Sequence, residues 1–168
     1  MWIREEADGD IEAICTVVRK AFAEAPGGGS LENRTLESLR DDRALALGLV
    51  ADVDGRIAGH VAFSVARPSR DGDGWYVLGL MAVDPDDQGR GVGSALVHAG
   101  LRLLQEREAN GCVVLGEPGY YSRFGFRADP LLTLPGAPEG MFQALRLTDA
   151  ASAGEVVLHP AFGHHEKS

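Results

Sequence analysis

Apolar positions recur along this chain with two periods, and the switches between them mark out the elements. Ile11, Ile14, Cys15, Val18 and Phe22 fall at helical spacing and give one buried face. A short strand is expected ahead of them, with Asp8 placed to cap the helix. Pro26-Gly27-Gly28-Gly29 ends that helix, and Leu31, Leu36 and Leu39 predict a second. Leu45 to Val53 reads as a strand, Asp54-Gly55 as a hairpin turn, and Arg56 to Ala66 as the returning strand. Arg67 to Gly74, with its Pro, Ser, Asp and Gly, reads as a loop. Trp75 to Val83 is a long apolar strand closed by Asp84-Pro85, and a helix follows from about Gly91 to Glu108. Asn110-Gly111 stops that helix, and Cys112 to Leu115 forms a short buried strand. Tyr120 to Phe124 predicts one or two helical turns, and Gly125-Phe126 opens another strand. Phe142 to Leu147 and Glu155 to Leu158 are read as further strands. Elements in this order predict an α/β (α+β mixed) sandwich, a mixed central sheet flanked by helices.

Composition narrows the picture. At 168 residues the chain suits one domain, 1–168, with 162–168 expected as a flexible tail. Lys and Arg total 16 against 25 Asp and Glu, a formal charge of -9. Nucleic acids and anionic membranes reward clustered positive charge, so neither is an expected partner. The acidic balance leans weakly towards a cationic partner, with plain solubility the favoured reading. Cys15 and Cys112 lie far apart among apolar neighbours, which is neither a disulfide framework nor a zinc site, and no metal is expected. The opening residues lack the apolar run of a signal peptide, and no stretch approaches a membrane span, so a reduced cytoplasmic setting is expected.

The most informative segment runs from Leu80 to Leu96. A buried strand ends, an acidic turn follows, and Gln88-Gly89-Arg90-Gly91-Val92-Gly93 opens a helix. The first helical turn leaves backbone N–H groups unpaired, and the macrodipole adds partial positive charge there. Glycines remove side chains that would hold a phosphate away, and Arg90 adds a full charge. A tight helix start without a ligand is the other reading of the same glycines. A Walker-type loop is excluded because no Lys follows in register. A dinucleotide fingerprint is excluded because the turn sits mid-chain behind Asp84-Pro85, with Leu96 where a third small residue belongs.

Gln-x-x-Gly-x-Gly behind a strand ending Ala82-Val83-Asp84-Pro85 resembles the acyl-CoA motif of the GNAT N-acetyltransferase superfamily. Three further segments are similar to that family in the same order. Ile3-Arg4-Glu5 with Asp10-Ile11 resembles its opening strand and helix, Val53 to His60 its central hairpin, and Tyr121 to Phe126 its closing Tyr-x-x-x-Gly-Phe. The tail, with His159-Pro160-Ala161-Phe162, is similar to the YhbS-like branch, whose members mostly lack assigned substrates.

The resemblance implies a GNAT-like sandwich with strands splayed around a CoA cleft, acetyl-CoA as acyl donor, and a small-molecule or peptide amine as acceptor. It assigns the CoA pyrophosphate to the backbone of Gln88, Gly89, Arg90, Gly91, Val92, Gly93 and Ser94, and the pantetheine arm to Met81, Ala82 and Val83. Tyr121 matches the acid that protonates the departing thiolate, with Tyr120 as the fallback one register away. The base is open: the strand Trp75 to Val83 holds no carboxylate, and neither Glu117 nor His60 follows from spacing. Gly116-Glu117-Pro118-Gly119 stands where relatives often carry an asparagine that contacts the arm. The missing carboxylate also motivates a second reading, a catalytically silent acyl-CoA-binding module. A homodimer is left open.

Overall fold

In the computed structural model, which describes residues 1–167, the chain opens with β1 (Trp2–Glu5), antiparallel to β2 (Leu45–Val53) from Trp2 opposite Asp52 to Glu5 opposite Leu49. Helix α1 (Ile11–Ala21) follows, though Asp8 does not cap it. Asp8 begins a single 3-10 turn, and Asp10 is the residue that reaches back, accepting the Ala7 N–H at 2.8 Å and two hydrogen bonds from Arg4. Arg4 on β1 thus fixes the carboxylate six residues later, which the helical pattern alone does not reveal. Helix α2 (Ser30–Asp41) buries Thr35, Leu36 and Leu39. Strand β3 (Arg56–Val65) returns from the Asp54-Gly55 turn, where both residues have positive φ.

The fold comprises two compact units, Met1–Phe63 with Leu80–Gly100, and Ser64–Gly79 with residues 101–167. The core of the first contains Ile14, Val17 and Val18 from α1, Leu36 from α2, and Val50, Ile57, Ala62 and Ala82 from strands. Of the face expected from helical spacing, Ile14 and Val18 are buried and Phe22 packs against them half-buried, while Ile11 and Cys15 stay half-buried and Val17 enters the core instead.

The second unit corrects two expectations. Arg67–Arg70, expected as loop, is strand β4, antiparallel to β9 (Ala153–Val157) with a register shift between Pro68 and Arg70. Proline is tolerated because β4 is an edge of a three-stranded sheet ordered β4-β9-β7, where β7 is Leu132–Thr133. The strand expected at Gly125-Phe126 shrinks to an isolated bridge between Arg127 and Ala144, because Gly125 at φ 98° turns the chain out of a 3-10 turn. Strand β5 (Trp75–Val83) pairs in parallel with β6 (Gly111–Leu115), and β6 pairs antiparallel with β8 (Phe142–Arg146). The larger sheet is mixed, with strand order β1-β2-β3-β5-β6-β8. Trp75 anchors the unit: it is 1% exposed, and Gly111 leaves room for its indole, since an added Cβ would meet the ring. Phe162 is also buried, against Gly79, at the start of the segment expected to be a flexible tail.

Candidate active site

The glycine turn is built by the end of β5. The Asp84 N–H donates to Ala58 O at 2.8 Å, and the Asp84 carboxylate accepts the Asp86 N–H at 3.0 Å, capping a single turn over Pro85–Asp87. Gln88 is extended, and Gly89 and Gly91 have φ of 81° and 79°, which L side chains rarely adopt. Nothing lies within 4 Å of where a Cβ would sit on either glycine. Helix α3 (Val92–Glu106) begins there, and its first turn closes with Ala95 N–H on Gly91 O at 3.0 Å. The N–H groups ahead of Ala95 are the unpaired donors of a helix start. Gly59 on β3 lets the start of α3 approach, because a Cβ there would come within 2.9 Å of Val92 and 3.0 Å of Leu96.

Two buried acids, Asp84 and Asp87, sit directly ahead of this turn, and basic residues match them. Arg56 donates to both oxygens of Asp87, at 2.7 and 2.9 Å, and Lys20 reaches Asp84 at 3.4 Å. The Arg56 hydrogen bond, more than offsetting burial, holds the Asp87 carboxyl below the usual carboxylate range. Arg90 stays 71% exposed with only a 4.0 Å approach to Asp87. The turn therefore presents open backbone donors and an exposed cation, while its acids are already partnered. That arrangement fits a pyrophosphate.

Met81, Ala82 and Val83 belong to the same unit, on the last residues of β5, with Ala82 buried and its two neighbours half-buried. Gln88 to Gly91 are exposed, Val92 is buried, and Gly93 and Ser94 are half-buried.

Tyr121 lies in the second unit, at the end of α4 (Pro118–Tyr121), whose tyrosine N–H groups both donate to Glu117 O at 3.1 Å. Its ring packs edge-on to Tyr120 and Phe126, at centroid distances of 5.0 and 5.9 Å. Burial, helped by Tyr120 and Cys112, pushes the phenol up to about 12, so it keeps its proton at neutral pH. Tyr120, the fallback, carries the Arg123 guanidinium 4.6 Å over its ring, which makes it a wall of the aromatic cluster. Burial also pushes the Cys112 thiol up to about 12, consistent with an inert packed cysteine.

The two base candidates separate. Glu117 is exposed at the start of α4. His60 is 1% exposed on β3, with Nε2 2.6 Å from Glu6 Oε1. Arg40 donates to both Glu6 oxygens at 3.1 Å, and Gly48 leaves the space that this carboxylate fills. Burial acts to raise the Glu6 pKa, but the His60 and Arg40 hydrogen bonds outweigh it and hold it at about 2. His60 is thus committed to a hydrogen-bonded Arg40–Glu6–His60 network. The pairings Arg40–Glu6–His60 and Arg56–Asp87 escape sequence reasoning because each spans about 30 residues or more with no repeating spacing.

Among the described residues, no group of three or more His, Cys, Asp or Glu could hold a metal, and no helix is long and apolar enough to cross a membrane.

Comparison with known proteins bears on these features. A family model described as an acetyltransferase (GNAT) domain matches residues 45–128. The chain is 36% identical over 159 residues to the uncharacterized N-acetyltransferase YhbS of Escherichia coli strain K12, covering 92% of each protein. The structure of E. coli YhbS in complex with CoA is similar with a TM-score of 0.88 at 35% identity, over 96% of this chain and 91% of that one. A GNAT family acetyltransferase from Brucella melitensis in complex with acetyl-CoA gives 0.83 at 38% identity, over 96% and 97%. Both share the mixed sheet flanked by helices.

Proposed function

The chain belongs to the GNAT acetyltransferase family, and from that premise we propose that it moves the acetyl group of acetyl-CoA onto a primary amine of a small molecule or peptide. The observation that carries this reading is the open glycine turn, with free space over Gly89 and Gly91 at the start of α3. The backbone from Gln88 to Ser94 would hold the pyrophosphate, and the backbone of Met81, Ala82 and Val83 would pair with the amides of the pantetheine arm.

The neutral amine attacks the thioester carbonyl carbon, and the carbon–sulfur bond breaks. Tyr121 gives its phenolic proton to the departing sulfur, and the proton lost by the amine leaves through water. A phenol that stays protonated at neutral pH suits that role. With His60 committed to Glu6 and no carboxylate on β5, proton removal falls to water or to an amine that arrives neutral.

Thiol release from acetyl-CoA, screened across primary amines, tests the reading alongside calorimetry of CoA binding. Turnover with at least one amine class is expected. Gly91→Glu, which places a negative side chain in the open space, should abolish CoA binding. Binding without turnover would favour a silent acyl-CoA-binding module instead, a reading motivated by the lack of a carboxylate on β5. Absence of both binding and turnover would sink both.

A further inference from the structure

Gln143 stands in β8, 3% exposed, and its Nε2 has no hydrogen-bond partner among the described residues. A buried carboxamide donor left unmatched is costly, so such groups are normally satisfied. The position of this one is informative. Gln143 is opposite Val114 in the antiparallel β6–β8 pairing, and Val114 is opposite Leu78 in the parallel β5–β6 pairing. Residues opposite one another in a ladder project to the same face, so Leu78, Val114 and Gln143 form one row. That row is the last rung of the β5–β6 pairing.

The same face carries the phenol. Side chains alternate along a strand, so Cys112 and Val114 share a face, and Gly116 continues the series while its N–H keeps the ladder going to Met141 O at 2.9 Å. The Tyr121 ring lies over Gly116, where an added Cβ would come within 2.5 Å of Cε2. An unmatched amide and the Tyr121 ring therefore occupy one face at one end of the second unit. The adjacent connection, Gly116-Glu117-Pro118-Gly119, offers no side-chain amide.

We propose that Gln143 is a binding residue for the acyl-CoA arm, its Nε2 donating to a carbonyl oxygen of acetyl-pantetheine. This rests on the acyl-CoA reading above. A pantetheine amide and the thioester both present such an oxygen, and either would satisfy the donor that the protein leaves unmatched.

Gln143→Met keeps the side-chain volume and removes the donor. Binding of CoA and of acetyl-CoA is measured by calorimetry, and the ligand-free Tm by calorimetric scanning. Affinity should fall about tenfold, while the ligand-free Tm holds or rises because an unsatisfied donor has gone. Equal losses for both ligands place the bond on the pantetheine arm, and a loss confined to acetyl-CoA places it on the thioester carbonyl. Unchanged affinity for both would overturn the proposal, as would a lowered Tm with wild-type affinity. Should the variant fail to fold, the Gln143 side-chain amide resonance of the ¹⁵N-labelled wild-type protein provides the test. It must move on adding acetyl-CoA, and an unmoved resonance overturns the assignment. If wild-type protein binds neither ligand, the acyl-CoA reading itself fails and takes this proposal with it.

Discussion

Arg56 holds Asp87 by both carboxylate oxygens, at 2.7 and 2.9 Å, just ahead of the glycine turn. The pair ties the start of β3 to the turn between β5 and α3. Arg56 is half exposed while the Asp87 side chain is only 2% exposed, so the acid is the fixed member and the guanidinium clamps it from the solvent side. Loss of the clamp should loosen the backbone donors of the turn without touching the chemistry.

Asp87→Asn should accordingly weaken CoA binding severalfold while leaving kcat at saturating acetyl-CoA close to wild type. Arg56→Lys should recover part of the affinity lost in Arg56→Ala, because a point charge replaces one arm of the fork. Asp87 is held below its ordinary pKa in the folded protein, so its contribution is present above the unfolded value and is lost as pH falls through the folded one. Steady-state KM and kcat across the series, with calorimetry of CoA, would check this. A kcat loss with unchanged affinity would refute it.

Tyr121→Phe should lower kcat by about a hundredfold, the lower end of what a positioned proton donor contributes. CoA affinity should be unchanged. Because burial pushes the phenol up to about 12, the wild-type rate should show no alkaline fall from this group until pH approaches that value. Tyr120→Phe serves as the comparison and should leave kcat near wild type. If Tyr120→Phe carries the larger loss, the acid is one position earlier.

How far these sites were legible in advance depends on whether their cause is local. Strands β2 and β5 came out at the residues expected, because alternation, an apolar run and the Asp54-Gly55 turn are all short-range signals. Strand β4 was not legible: Arg67-Pro68-Ser69-Arg70 has no strand pattern, and it becomes a strand only because β9 pairs with it. The short strand β7 escaped for the same reason, being two residues held by β9. At the site, the glycine turn was readable because backbone conformation demanded glycine. The partners that fix it, Arg56 and Lys20, lie on other elements and carry no local mark.

Glu6 makes a separate prediction about acid stability. Its carboxyl lies at about 2 when folded against an ordinary 4.5, held there by His60 and Arg40 against the opposing effect of burial. A depressed pKa gives stability that is complete above about pH 4.5 and is lost as pH falls towards 2. Chemical unfolding between pH 7 and 2 should therefore show a steeper acid loss for wild type than for Glu6→Gln, the two curves converging at the acid end. Parallel curves would show that Glu6 is not coupled to folding through this network.

Ser152 is wholly buried and has two obligations: its Oγ accepts the Trp75 indole N–H at 2.8 Å and donates to Asp71 O at 2.5 Å. Ser152→Ala strands the buried Trp75 indole N–H, and an unmatched buried donor is costly. A destabilisation of about 2 kcal/mol is expected. The indole also lies 5.6 Å from the Arg146 guanidinium, which itself donates to Asp129 and to the Ser152 carbonyl, so the ring has little freedom to find a new acceptor. Trp75→Phe removes the orphaned donor, so the double variant should lose less than the sum of the single losses. Denaturant unfolding of all four proteins measures that coupling. Strict additivity would show that the indole hydrogen bond adds nothing to the stability of the second unit.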